Sequence, residues 1–118
     1  MKLEALRTYL LDKKGTTEET PFGPEALVFK VMGKMFALIA WQESPLSMNL
    51  KCDPELALSL RERYAAITPG YHMNKKHWNT IRLDGTVPAA EIWSLIDLSY
   101  DLVVKGFKKA ERQKLENL

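Results

Sequence analysis

Three extended segments follow one another between Leu27 and Cys52 with only short turns between them. Leu27, Phe29 and Val31 alternate with Val28 and Lys30, a period of two that belongs to a strand. Met32-Gly33-Lys34 then reads as a hairpin turn. Met35 to Trp41 is apolar on both faces, as a central strand requires, and Glu43-Ser44-Pro45 makes a second turn. Beyond it, Ser47, Asn49 and Lys51 alternate with Met48, Leu50 and Cys52, giving one wet face and one dry face. Turns this short leave no room for a crossover helix, so neighbouring strands must run antiparallel.

The helical patterns lie outside this block. Leu3, Leu6 and Leu10 recur at helical spacing, predicting an amphipathic helix over 2–12 that ends at Lys13-Lys14-Gly15. Residues 15–25 read as the longest loop, either functional or a connector to a distant sheet edge. Asp53-Pro54-Glu55 is a helix start, with Asp as N-cap and Pro at the first position. Leu56, Leu60 and Tyr64 carry that helix over about 54–66, and Thr68-Pro69-Gly70 breaks it. Residues 71–83 read as a hairpin: a short strand near Tyr71, a turn around Met73–Lys75, and a strand to Leu83 closed by Asp84-Gly85. Pro88 opens the last helix, whose apolar stripe includes Ile92, Leu95, Ile96, Leu102, Val103 and Phe107. Residues 110–118 read as a frayed tail. The expected order is α-β-β-β-α-β-β-α. It describes an α+β two-layer sandwich, helices on a five-stranded antiparallel sheet, in one domain over 1–118.

Several classes are excluded. With 118 residues, 46% hydrophobic and 27% charged, the chain is neither disordered nor fibrous. A single cysteine, Cys52, rules out an intramolecular disulfide framework and any multi-cysteine zinc site. It lies on the dry face, so the reading is a buried, inert thiol. The longest apolar stretch falls far short of the ~20 residues of a spanning helix, so no membrane contact is expected. Met1-Lys2-Leu3-Glu4 lacks the order of a signal peptide, and a cytoplasmic protein is expected.

A formal charge of +2 says little about partners until it is read by position. Residues 1–62 carry eight basic and nine acidic side chains, whereas 63–118 carry nine basic and six acidic. Arg63 to Leu83 holds four basic residues, two histidines and no carboxylate. Such a stretch matters because a surface field is set within a Debye length, ~10 Å.

If 76–83 is extended, Ile81 and Leu83 face the core while Lys76, Trp78, Thr80 and Arg82 share the solvent face. Cations flanking an indole suit phosphate contact and base or sugar stacking, and Asn74 and Lys75 at the hairpin tip suit a wing entering a groove. The plainer alternative is an edge strand kept soluble by its charges, with Trp78 under a neighbouring element. His72 and His77 are five apart with no Cys, Asp or Glu nearby to complete a metal site, so no metal is expected. No glycine-rich phosphate loop or nucleophile elbow is present, and Glu18-Glu19 reads as a solvated pair, so neither an enzyme activity nor a cofactor is expected.

The stretches GTTEETPFGPEALVFKVMGKMFALI, LKCDPELALSLRERY and TPGYHMNKKHWNTIRLDG together resemble the MmcQ/YjbR family of small bacterial proteins. The family motif falls on Pro69 through Trp78. The resemblance implies a CyaY-like or secretion-chaperone-like fold and a DNA-binding role through a double-wing arrangement of β-hairpins. It does not carry iron binding with it, because Glu4 in the first helix is balanced by Lys2 and Arg7. The expected partner is double-stranded DNA, with Lys75, Lys76 and Arg82 on phosphates, Tyr71 and Trp78 stacking, and His72, Asn74 and Asn79 hydrogen-bonding. Two alternatives stand beside it. One is a protein- or peptide-binding sheet face around Trp41 or Trp78; the other is a small-molecule site between the long loop and the hairpin, using Phe22, Tyr71 and Trp78. A monomer or weak homodimer is expected.

Overall fold

The computed structural model describes residues 1–118. The three consecutive extended segments are strands: β2 (Ala26–Val31), β3 (Lys34–Ala40) and β4 (Ser47–Lys51), following β1 (Thr16–Glu19). Val31 pairs with Lys34 and Ala37 with Leu50, so each short turn reverses the chain. Met32 and Gly33, between β2 and β3, both have positive φ, 49° and 79°. That conformation twists a two-residue turn to match its strands. With β5 (Ile67–Pro69) and β6 (Trp78–Arg82) the sheet has six strands in the order β1-β2-β3-β4-β6-β5, every neighbouring pair antiparallel.

The helices are α1 (Leu3–Asp12), α2 (Pro54–Arg63), α3 (Ala89–Lys105) and α4 (Lys109–Glu116). Period two divides the strands cleanly. Phe29, Ala37, Ile39, Met48, Leu50, Ile67 and Ile81 point to one side and bury against Leu6, Leu10, Leu60, Ile92 and Ile96 of the helices. On the other side, Leu38, Asn49, Thr80 and Thr68 form one cross-strand row and Ala26, Ala40, Ser47 and Arg82 another. No helix covers this second face.

α3 is fastened to the sheet where the ladder is irregular. Opposite β2, Phe29 faces Ala37 but Lys30 faces Met35, so Phe36 is an extra, bulged residue. Pairing of β3 with β4 ends at Ala37 and Leu50. The next bond is replaced by a side chain. The fully buried Ser99 hydroxyl donates to the Phe36 carbonyl at 2.5 Å and accepts from the Lys51 N–H at 2.9 Å. At the far edge α3 meets α1. The Tyr9 and Trp93 rings stack at 4.4 Å, and the Tyr9 hydroxyl donates to Asp97 at 2.7 Å. Giving up that proton beside Asp97 is costly, so the Tyr9 phenol is pushed up to about 12.

The two-layer α+β reading holds, with four corrections. The 15–25 loop contains β1, whose TTEE residues carry no apolar alternation and join the sheet through backbone pairing with Val28–Val31. There are therefore six strands, not five. The strand expected near Tyr71 is β5, earlier at Ile67–Pro69, because α2 ends at Arg63 instead of reaching 66. Tyr71 to His77 is a structured loop. The tail is not frayed: α4 folds back so that Leu115 is buried against Gly15, where a Cβ would stand 2.6 Å from Leu115 Cδ1. Finally, Asp53 occupies the N-cap of α2 but its side chain makes no capping bond.

Candidate functional site

The sheet topology collects cations at one end of the strands. The β2–β3 turn lies there because Val31 pairs with Lys34, and the loop leading into β6 lies there because Lys51 pairs with Trp78. Lys34, Lys51, Lys75 and Lys76 therefore share one edge of the molecule, from the turn, the end of β4 and the loop. None is ion-paired; the salt bridges engage Arg7 with Glu18, Lys13 with Asp97, Lys30 with Glu19 and Arg82 with Asp84. The nearest carboxylates in sequence, Asp53 and Glu55, begin α2 in the helical layer.

The loop that presents Lys75 and Lys76 is fixed by its own polar groups. The Asn74 Oδ1 accepts the N–H groups of Lys76 (2.9 Å) and His77 (3.3 Å), and its carbonyl accepts from His77 and Trp78. From beneath, the Arg61 guanidinium donates to Asn79 Oδ1 at 2.7 Å, to the Trp78 carbonyl at 3.3 Å and to the Lys75 carbonyl. On the open face, the Tyr71 N–H donates to Thr80 Oγ1 (3.0 Å), Thr80 to Asn49 Oδ1 (2.5 Å), and the Asn49 amide to Met73 Sδ (3.1 Å). Gly70 is required by contact: a Cβ there would stand 2.7 Å from Trp78 Cβ and 3.0 Å from its carbonyl oxygen. His72 holds a left-handed backbone, φ +60°, with its ring 3.9 Å from that of Tyr71.

Of the expected site residues, Lys75, Lys76, Tyr71 and His72 are exposed on this loop, and Trp78 and Arg82 lie on the open face. Lys76 is not on the strand, which starts only at Trp78. One expected role is corrected. Asn79 is buried, on the core face with Ile81, and is spent on Arg61 and the Ala57 carbonyl. Asn74 is exposed and also shapes the turn: its carbonyl and Oδ1 take backbone donors, and its Nδ2 stays free. Arg61, Lys34 and Lys51 escaped the reading of residues 71–83. The signal for the two lysines was present: one stands in the hairpin turn and the other on the wet face of β4.

The open face is a cleft of 1120 Å³. Small side chains hollow its floor, Ala26, Ala40 and Ser47 lying in one cross-strand row. Phe22, the Glu43–Pro45 turn and the Tyr71–Met73 loop raise its walls. No three His, Cys, Asp or Glu side chains converge anywhere to hold a metal ion. No helix is long and apolar enough to cross a membrane.

Cys52 is buried beyond the end of β4, its N–H bonded to the His77 carbonyl. Burial, reinforced by neighbouring Asp53, pushes its thiol up to about 11. With ~0.1% thiolate at pH 8, native Cys52 is expected to react with iodoacetamide at least about a hundredfold more slowly than an unperturbed thiol. Mass spectrometry of timed quenches checks this, with the urea-unfolded chain as reference; comparable rates would contradict the burial.

Residues 11–102 match the YjbR family. The chain belongs to the YjbR family. It is 33% identical to the uncharacterised protein YjbR of Escherichia coli K12 over 118 residues, the whole of both chains. It is also 41% identical over 95 residues to YbdF of Escherichia coli O157:H7, covering 80% of this chain and 78% of that one. Among solved structures, Deinococcus radiodurans protein DR2400 superposes with a TM-score of 0.92 at 45% identity, over 98% of this chain and 88% of that one. A Pseudomonas syringae protein superposes with a TM-score of 0.74 at 34% identity, over 86% and 98%. The PGYHMNKKHW segment, on which the YjbR resemblance most depends, forms the Gly70–Trp78 loop and its join to β6.

Proposed function

We propose that this member of the YjbR family is a non-enzymatic DNA-binding protein that grips the duplex backbone with the basic end of its sheet. The observation that carries the reading is the placement of four unpaired lysines on two turns and the strand end between them. Two protrusions separated by β4 suit a double-wing grip. Adjacent strands are ~4.8 Å apart, so wings rooted on β3 and β6 start ~10 Å apart and can reach successive phosphates. A loop whose backbone is held by Asn74 and Arg61 roots Lys75 and Lys76 at fixed positions, so little backbone entropy is lost on binding. A protein-binding sheet face draws less support, since the open face is concave.

Neutralising about four phosphates predicts a slope of log affinity against log salt near −3.6. Fluorescence anisotropy with a labelled duplex should thus show affinity falling about a hundredfold between 50 and 200 mM salt. The Lys75→Ala/Lys76→Ala variant should reduce the slope by about 2. No binding at low salt, or a slope the double substitution leaves unchanged, sinks the reading.

A further inference from the structure

We propose that the open-face cleft is a second binding site, adjoining the basic end but sharing none of its lysines, for a small, uncharged, planar aromatic molecule. Size comes first. At 1120 Å³ the cleft lies just above the ~300–1,000 Å³ typical of pockets for small organic ligands. Its hollow is built into the sequence, since alanines and a serine stand where β2, β3 and β4 would otherwise carry large side chains.

The lining specifies the chemistry. Phe22 is 67% exposed and Tyr71 69%, on opposite walls, and the Trp78 indole is half-buried between β6 and the Tyr71 loop. Rings left in water at the rim of a concavity gain by covering a flat apolar surface. On the floor, Asn49 and Thr80 are bonded to each other, to Met73 and to the Tyr71 N–H, and Ser47 to Glu43, which leaves the Thr68 hydroxyl as the one open to a ligand. Charge does not select an ion. The formal charges lining the cleft, Arg82 and Glu43, cancel; Arg82 is held by Asp84 and Glu43 accepts from Ser47. The four unpaired lysines lie outside the lining. An ionic ligand would lose hydration here without meeting an unpaired formal charge, whereas a neutral one would not.

A matched pair of fluorescent probes tests the class: N-phenyl-1-naphthylamine, which is neutral, and 8-anilino-1-naphthalenesulfonate, the same scaffold carrying a sulfonate. The neutral probe should bind saturably with one-to-one stoichiometry, and the sulfonate at least about tenfold more weakly. Ala40→Phe, which fills the floor, should weaken the neutral probe at least about tenfold, and Phe22→Ala about threefold. Thermal melting of both variants checks that they remain folded, and amide shifts at Asn49, Tyr71 and Thr80 should follow wild-type titration. The Lys75→Ala/Lys76→Ala variant should bind the probe as wild type does, whatever the outcome with DNA. Absence of saturable binding overturns the proposal. So does tighter binding of the sulfonate, an affinity unmoved by Ala40→Phe, or a dimer in light scattering that Ala40→Phe dissociates.

Discussion

Replacing Ser99 with alanine is expected to lower stability by about 2–4 kcal/mol, with a fall in Tm of roughly 10 °C. The size follows from what the hydroxyl does. It stands in the gap where the β3–β4 ladder stops, accepting from the Lys51 N–H and donating to the carbonyl of the bulged Phe36. Alanine leaves two backbone groups unpaired beneath α3, the Phe36 carbonyl fully buried and the Lys51 N–H partly so, each costing ~1–3 kcal/mol. It also removes the one polar fastening between α3 and the sheet centre, beside the edge-on contact of Phe36 and Tyr100. Ser94, exposed on the same helix, supplies the contrast: its alanine variant should stay within about 0.5 kcal/mol of wild type. Urea denaturation of the pair measures the difference. A loss below about 1 kcal/mol for Ser99→Ala would mean that the ladder closes without it.

Ser99 also marks where sequence reasoning stops. Its position in the apolar stripe of α3 is legible from helical period, but its task depends on a bulge in β3, more than sixty residues earlier. The elements that announce themselves do so through period and punctuation: β2 to β4 by alternation and short turns, and α2 by Asp53-Pro54. β1 does not, because TTEE is an edge strand that pairs through its backbone and buries little. Nor does α4, a polar helix held down by Leu115, whose partner Gly15 is a hundred residues earlier. Asn79 is the instructive miss. Period two already groups it with Ile81 on the core side, but an amide in a polar stretch invites a role at the surface. Its burial is satisfied by two groups of α2, the Arg61 side chain and the Ala57 carbonyl, which the strand pattern does not reveal.

That dependence makes Arg61 the residue on which the DNA reading turns without touching DNA. Arg61→Ala is expected to cost about 2–3 kcal/mol, because it strands the buried Asn79 oxygen and frees the carbonyls of Lys75 and Trp78. Arg61→Lys should recover little, since one ammonium cannot reproduce a planar fork that reaches three oxygens on two elements. Arg63→Ala, two residues on and only resting over the Tyr64 ring, should be near neutral. Anisotropy separates positioning from contact. Without Arg61 the 70–77 loop loses its order, so affinity should drop several-fold at every salt concentration. Lys34, Lys51, Lys75 and Lys76 all remain, so the salt slope should stay near −3.6, whereas Lys75→Ala/Lys76→Ala should lower it by about 2. If Arg61→Ala instead shifts the slope by about 1 and leaves low-salt affinity intact, the guanidinium meets a phosphate itself. The loop would then owe its shape to Asn74 and to the Thr80 and Asn49 bonds on the open face.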